Sequence, residues 1–280
     1  YRESGINFVV PDSKRLTHDI SVPDTEMHGA AHGQIVTVET LEQPGKPKPP
    51  VGRVIEVLGE HMAPGMEIDI AIRSHDLPQE WPPEVEQEIA HYTEEVPEQA
   101  RQGRTDLRDI PLVTIDGEDA RDFDDAISVE ETEAGGWRLG VHIADVSHYV
   151  RFDDVLDREA YRRGTSVYLV DRVVPMLPEK LSNGVCSLRP NEDKLTFSAV
   201  FKMNEQGEVL DEWFGRTVIH SDRRFNYEEA QQIIESGEGD MKAEVLKLYE
   251  ISRVLKEKRF ENGSINFERE EVKFHLAEDG

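Results

Sequence analysis

Over residues 1–75 apolar and polar positions alternate in short runs separated by turn residues. The runs are Ile6–Val10, His18–Val22, Ile35–Leu41, Val51–Leu58 and Met66–Ile72, with a Pro11-Asp12-Ser13 turn and a PGKPKPP loop between them. Five strands of about five residues at this spacing predict a small OB-type β-barrel. Trp81-Pro82-Pro83 then opens an acidic helix with Val85 and Ile89 on one face, and Pro97 and Gly103 break the pattern. Residues 76–108 therefore read as a helical connector to a second domain that starts near Asp109. In that domain Leu112 to Ile115 and Ala126 to Val129 read as buried strands, and Leu139, Val141 and Ile143 alternate as the apolar face of another. Thr196–Met203 and Trp213–His220 predict further strands. Asn226 with Glu229 predicts a variant capping box for a helix carrying Ala230, Ile233 and Ile234. A longer helix over 241–260 buries Val245, Leu248, Ile251 and Leu255 and stops at Gly263. The fold class is α+β.

Between the strands at Leu112 and Ala126 the chain reads DGEDARDFDD, with Asp116, Glu118, Asp119, Asp122, Asp124 and Asp125 among ten positions. Carboxylates packed this closely repel, and a cation offsets that repulsion. Oxygen donors suit Mg²⁺ or Mn²⁺ better than Zn²⁺. Asp122 and Asp124 fall on one side of an extended backbone, Asp125 turns differently, and Asp116 closes from the other strand. Such a set would hold one or two metal ions, and two-metal sites cut phosphodiesters. The bland alternative is a solvated acidic loop. An EF-hand is excluded, because its D-x-D-x-D-G spacing with a Glu at the twelfth position is missing. His142, Asp145 and His148 invite a metal reading too, but a histidine beside a strand more often packs.

TIDGEDARDFDDAIS closely resembles the signature of the RNase II/RNase R (RNB) family of 3′→5′ exoribonucleases. WRLGVHIADVSHYV, RRGTSVYLVDRVVPMLPEKLSNGVCSL and GSINFEREEVKF resemble the RNase R branch, in the right order and over essentially the whole chain. The resemblance implies a cold-shock OB-fold at 1–75 and the N-terminal part of an α/β RNB catalytic domain at 109–280. It implies Asp116, Asp122, Asp124 and Asp125 as catalytic and metal-ligating residues for Mg²⁺, with Mn²⁺ as a substitute. It also implies a processive hydrolase that releases nucleoside 5′-monophosphates from single-stranded 3′ ends and works through structured RNA. Tyr168 matches the family tyrosine that stacks near the RNA 3′ end, and Phe274 matches by order the aromatic that clamps against it. GINFVVPDS resembles the RNA-binding strand of a cold-shock domain, with Phe8 as its stacking aromatic or as a core residue. A catalytic arginine and glutamate fall further along the family's catalytic domain, beyond these 280 residues.

Composition complicates this picture. The net charge is −26, whereas phosphate contacts need Lys and Arg. Bound metal would neutralise part of the acidic loop, and the family's further OB-type domain and basic tail carry positive charge. A non-catalytic RNA-binding module that keeps the fold is the rival reading, against which the intact DFDD argues. The single cysteine, Cys186, reads as a buried core residue and fits a reducing cytoplasm. No apolar run reaches the eighteen or so residues of a membrane span. Taken with the resemblance, the expectation is a cytoplasmic monomer whose partner is RNA.

Overall fold

The computed structural model describes residues 1–43, 48–61, 63–133 and 135–266. They form two compact units: Tyr1–Gln79 with Val167–Val174, and Glu80–Ser166 with the described residues from Pro175 onward.

In the first unit, β1 (Arg2–Glu3), β2 (Ile6–Val9), β3 (Ile20–Val22), β4 (Gln34–Glu42) and β5 (Val51–Glu60) make one sheet in the order β1-β2-β3-β5-β4. Ile20, Val22 and Val54 are its buried centre, with Val9, Val36, Val38 and Val57 against them. The expected fifth strand at 66–72 is instead a helix, α1 (Met66–Ser74), and the fifth strand is the N-terminal β1. A seven-residue alternation cannot separate strand from helix by itself. Gly65 turns the chain at φ 79°, Glu67 and Asp69 sit in the first turn and Arg73 in the last, as the helix dipole favours. Arg73 then reaches Glu56 on β5 at 2.5 Å, and Met66 and Ile72 are buried.

The second unit begins with α2 (Pro83–Ile89) and α3 (Glu98–Arg101). Val85 and Val96 of this stretch belong to the main buried cluster, together with Leu112, Phe123, Leu156, Leu181, Leu188 and Ile219. Residues 80–108 are thus part of a core, although their acidic surface reads as a connector. The elements that follow are β6 (Thr105–Asp106), β7 (Leu112–Asp116), β8 (Asp125–Glu131), β9 (Trp137–Ala144), α4 (Val146–Tyr149), α5 (Val155–Arg163), β10 (Val167–Tyr168), β11 (Val173–Val174), β12 (Asp193–Met203), β13 (Val209–His220), β14 (Arg223–Asn226), α6 (Tyr227–Ser236) and α7 (Lys242–Glu261). The hairpin β10-β11 groups with the first unit. The seven-stranded sheet runs β14-β7-β8-β9-β12-β13-β6, with β14 parallel to β7, β6 parallel to β13, and the pairs between antiparallel.

The capping box of α6 forms as the sequence predicts: Asn226 Oδ1 accepts from Glu229 N at 2.7 Å, and the Glu229 carboxylate accepts from Asn226 N at 3.0 Å. On β9 the alternation is present, but Ile143 is 45% exposed while Gly140, His142 and Ala144 are buried. The polar phase faces inward because it meets hydroxyls from neighbouring strands. His142 Nε2 pairs with Ser128 Oγ at 2.9 Å and Nδ1 with Ser198 Oγ at 2.7 Å. Ser198 continues to Thr217 at 2.6 Å and Thr217 to Thr196 at 2.5 Å. A Cβ at Gly140 would collide with Ser128 Oγ and the His142 ring, so this row closes only around a glycine.

Burial lowers the His142 pKa from 6.5 to about 4. The unfolded chain therefore takes up this proton before the folded chain does. The contribution is intact above about pH 6.5 and is lost as pH falls toward about 4, on the order of 3 kcal/mol in all. Denaturant melts at pH 7.0, 5.5 and 4.5 should show this slope in the wild type and a shallower one in His142→Gln. Equal slopes would remove His142 from the acid response.

Candidate active site

The acidic loop is the connection between β7 and β8, which pair at Leu112↔Ser128 and Val113↔Ile127. Asp116 ends β7 and Asp125 begins β8. Strand β14 flanks β7 in parallel, placing Arg224 beside Thr114 and Asn226 beside Asp116. The middle of the loop is tied to the core by Phe123, which is 7% exposed. Its N–H donates to Ser187 Oγ at 3.1 Å and its C=O accepts from Leu188 N at 2.9 Å. Ser187 Oγ in turn donates to Arg121 C=O at 2.7 Å, and Ala144 N donates to Asp124 C=O at 2.8 Å. The backbone around DFDD is therefore held to the core.

The mutual influence of the loop's carboxylates is visible in their acidity. Burial first, then the charge of Asp125, raise Asp116 to about 6; Arg224 lowers it by less than either, and Asp124 and Asp122 add smaller increases. Partial desolvation, then Asp122 and Asp125, also raise Asp124. Asp116 Oδ2 is buried and has no hydrogen-bond partner. A buried carboxylate oxygen left unpaired among like charges is what a cation would satisfy, and an all-oxygen donor set suits Mg²⁺ or Mn²⁺.

The side chains do not, however, form a closed chelate. Among the described residues no three His, Cys, Asp or Glu groups converge on one metal position. Repulsion keeps such carboxylates apart, and Mg²⁺ usually retains several waters and adds phosphate oxygens instead of using an all-protein cage. The expected set Asp116, Asp122, Asp124 and Asp125 is thus brought together as neighbours around one loop. His142 is consumed by the serine pair described above. Asp145 is buried against Arg104 at 2.6 Å, with side-chain exposures of 2% and 4%.

The other predicted residues lie elsewhere. Tyr168 is on β10, 65% exposed, in the first unit. Phe8 is half-buried on β2 and stacks on Tyr1, with ring centroids 5.3 Å apart at 22°, so it forms an aromatic pair. Phe274 falls outside the described residues. Cys186 is buried, and burial raises its thiol to about 12, as expected of a core residue. Two participants escape the sequence reading. Ser187 holds the loop from 64 positions away, and Arg224 donates through Nη2 to Gly117 C=O at 2.6 Å and Glu118 C=O at 2.7 Å. The only local sign of Arg224 is the Arg223-Arg224 pair just ahead of the α6 cap. A cavity of about 390 Å³ between Ser128, His142, Val200, Lys202 and Trp213 is lined by none of the four aspartates.

Residues 104–280 match the model of the RNB domain family, and residues 8–82 match that of the cold shock domain. The chain belongs to the RNB family. Ribonuclease R of Vibrio cholerae serotype O1 is 49% identical over 278 residues, 97% of this chain and 34% of that protein. Ribonuclease R of Escherichia coli K12 is 47% identical over 281 residues, 98% of this chain and 34% of its own length. Mycoplasma genitalium RNase R in complex with double-stranded RNA matches with a TM-score of 0.87 at 27% identity, over 98% of this chain and 51% of that one. The chain thus spans about a third of the curated relatives it matches. Within it, the acidic loop lies in the RNB domain and Phe8 in the cold-shock domain. Among the described residues no helix is long and apolar enough to cross a membrane.

An acid whose pKa is raised by folding disfavours the fold once it is ionised. The Asp116 penalty is absent below about pH 3.8 and complete above about 6. Asp116→Asn should therefore raise the unfolding midpoint at pH 7.5, with the gain vanishing toward pH 4. Solvent screening at a partly open loop discounts the effect to ~1 kcal/mol, or about 2–4 °C. Millimolar Mg²⁺ should raise the wild-type midpoint more than that of the variant. A destabilised Asp116→Asn protein at pH 7.5 would contradict this account of the loop.

Proposed function

We propose that this chain is the cold-shock and N-terminal catalytic portion of a metal-dependent, processive 3′→5′ exoribonuclease of the ribonuclease R type. The observation that carries the reading is the buried, unpaired Oδ2 of Asp116 among three further aspartates on a backbone tied to the core. Asp116, Asp122 and Asp125 would hold one or two Mg²⁺ or Mn²⁺ ions. Asp124 shares in ligation or orients the attacking water. An ion held there would supply an activated water and offset charge on the phosphate. Water adds to the terminal phosphorus, the bond to the preceding 3′ oxygen breaks, and that oxygen takes up the proton. Each cycle then frees one nucleoside 5′-monophosphate.

The exposed phenol of Tyr168 suits stacking on the last bases, partnered by Phe274. The Tyr1–Phe8 pair offers a second aromatic surface, on the cold-shock domain. RNA is the partner, single-stranded 3′ ends first and structured RNA as it opens, with the protein acting as a monomer in the cytoplasm. The net charge of −26 opposes RNA contact in both readings, the enzyme and its rival, an RNA-binding module that keeps the fold without the chemistry. The four retained aspartates and the raised Asp116 pKa support the enzyme over it.

Two variants of the full-length protein test this function. Asp124→Asn should cut RNA hydrolysis by two or more orders of magnitude at saturating Mg²⁺ while RNA affinity stays within a few-fold, because distant phosphate contacts dominate affinity. Normal turnover would overturn the assignment of the acidic loop. Tyr168→Ala should lengthen the limit product on a denaturing gel more than it slows the first cleavage steps. One stacking contact is worth roughly 1–3 kcal/mol, which matters most when little RNA remains bound. An unchanged product ladder would return Tyr168 to a purely structural role.

A further inference from the structure

Arg224 occupies an unusual position for a cation beside a metal-binding loop. Its strand, β14, runs parallel to β7 and sets it opposite Thr114, two residues before Asp116. From there a single nitrogen, Nη2, donates to the carbonyls of both Gly117 and Glu118, at 2.6 and 2.7 Å. The guanidinium carbon lies 5.6 Å from the centre of the Phe123 ring, within cation–π range. Nε is buried without a hydrogen-bond partner, so the group is held by the turn and the ring at the expense of its own full satisfaction. Arg224 thereby touches both halves of the loop: the turn after Asp116, and the residue between Asp122 and Asp124.

Charge alone would make this arrangement counterproductive. A fixed positive group near Asp116 opposes a second cation there, and its removal would strengthen metal binding. Geometry argues the other way. One NH₂ of a rigid planar guanidinium set beside the Phe123 ring holds two carbonyls and resists the loop's opening under carboxylate repulsion. A lysine, by contrast, is a point donor on a flexible stem with no planar face. We propose that Arg224 is a positioning residue for metal binding: it fixes the 117–118 turn against Phe123 so that Asp116 stays presented to Asp122, Asp124 and Asp125. This rests on the reading of the loop as a metal site.

The two effects have opposite signs, which makes them separable. Mn²⁺ binding to the 280-residue chain is measured by electron paramagnetic resonance, with Asp116→Asn as the control that locates the site. Arg224→Lys keeps the charge and loses the rigid planar group. It should weaken Mn²⁺ affinity about tenfold, the low end of the loss seen when an outer partner of a metal ligand is removed. Arg224→Gln should weaken it as well, despite the lost positive charge. Hydrogen exchange should quicken in the peptide covering 117–125 and stay unchanged in α6 and α7. Wild-type affinity in Arg224→Lys, or tighter binding in Arg224→Gln, overturns the proposal and leaves Arg224 as a counter-charge. Faster exchange across the whole second unit also overturns it, because the residue would then support the fold at large. Absence of Mn²⁺ binding in the wild type would instead overturn the metal-site reading beneath it.

Discussion

Burial of Asp116 and Asp124 beside like charges is the constraint on the acidic loop: desolvation first, then neighbouring carboxylates, raise both pKa values. A free loop would relieve it by swinging the side chains into water. Here the backbone cannot move, because Phe123 is buried and both its peptide groups are bonded to the 187–188 segment. Burying one such ring is worth roughly 1.5–3 kcal/mol and each net hydrogen bond ~1 kcal/mol. Their sum is enough to oppose the ~1 kcal/mol that remains, after solvent screening, of the Asp116 penalty.

The anchors reach further into the sheet. Ala144, at the end of β9, donates to Asp124, and the next residue, Asp145, donates through its backbone to Leu195 on β12. The Asp145 side chain is buried against Arg104. Burial alone would raise its pKa, but hydrogen bonds from Ser147 and Arg104 outweigh that and hold it below the usual range. Arg104 also donates to Ala100, Thr196 and Thr217 carbonyls, so its charge is buried with its donors occupied. Removing either partner of such a pair typically costs about 3–5 kcal/mol. The loop is thus tied, through β9, to the most deeply buried ion pair of the unit.

Net charge limits how this chain can approach a polyanion. A chain at −26 repels a polyanion beyond the few Å over which aromatic stacking acts. Any contact of this chain with a polyanion is therefore short-ranged. Tyr168 and the Tyr1–Phe8 pair are exposed or half-buried aromatic surface, the kind of feature that acts at such short range.

The sequence by itself determined the elements whose signals are local. The α6 cap is legible in Asn226 and Glu229 because both its hydrogen bonds span three residues. Helix α7 shows in the spacing of Val245, Leu248, Ile251 and Leu255, and the acidic loop in its bracket of apolar strands. Signals that depend on a distant partner were decided by tertiary structure. Met66–Ile72 alternates like a strand but folds as a helix against β5, where Glu56 awaits Arg73. The polar phase of β9 turns inward because Ser128 and Ser198 arrive from other strands to satisfy His142. Ser187 and Arg224 become part of the acidic loop's support only because the fold brings positions 64 and 106 residues apart into hydrogen-bond range. Local chemistry is written within a few residues. Which face is buried, and which donor meets an orphan acceptor, depends on chain segments that sequence spacing does not connect.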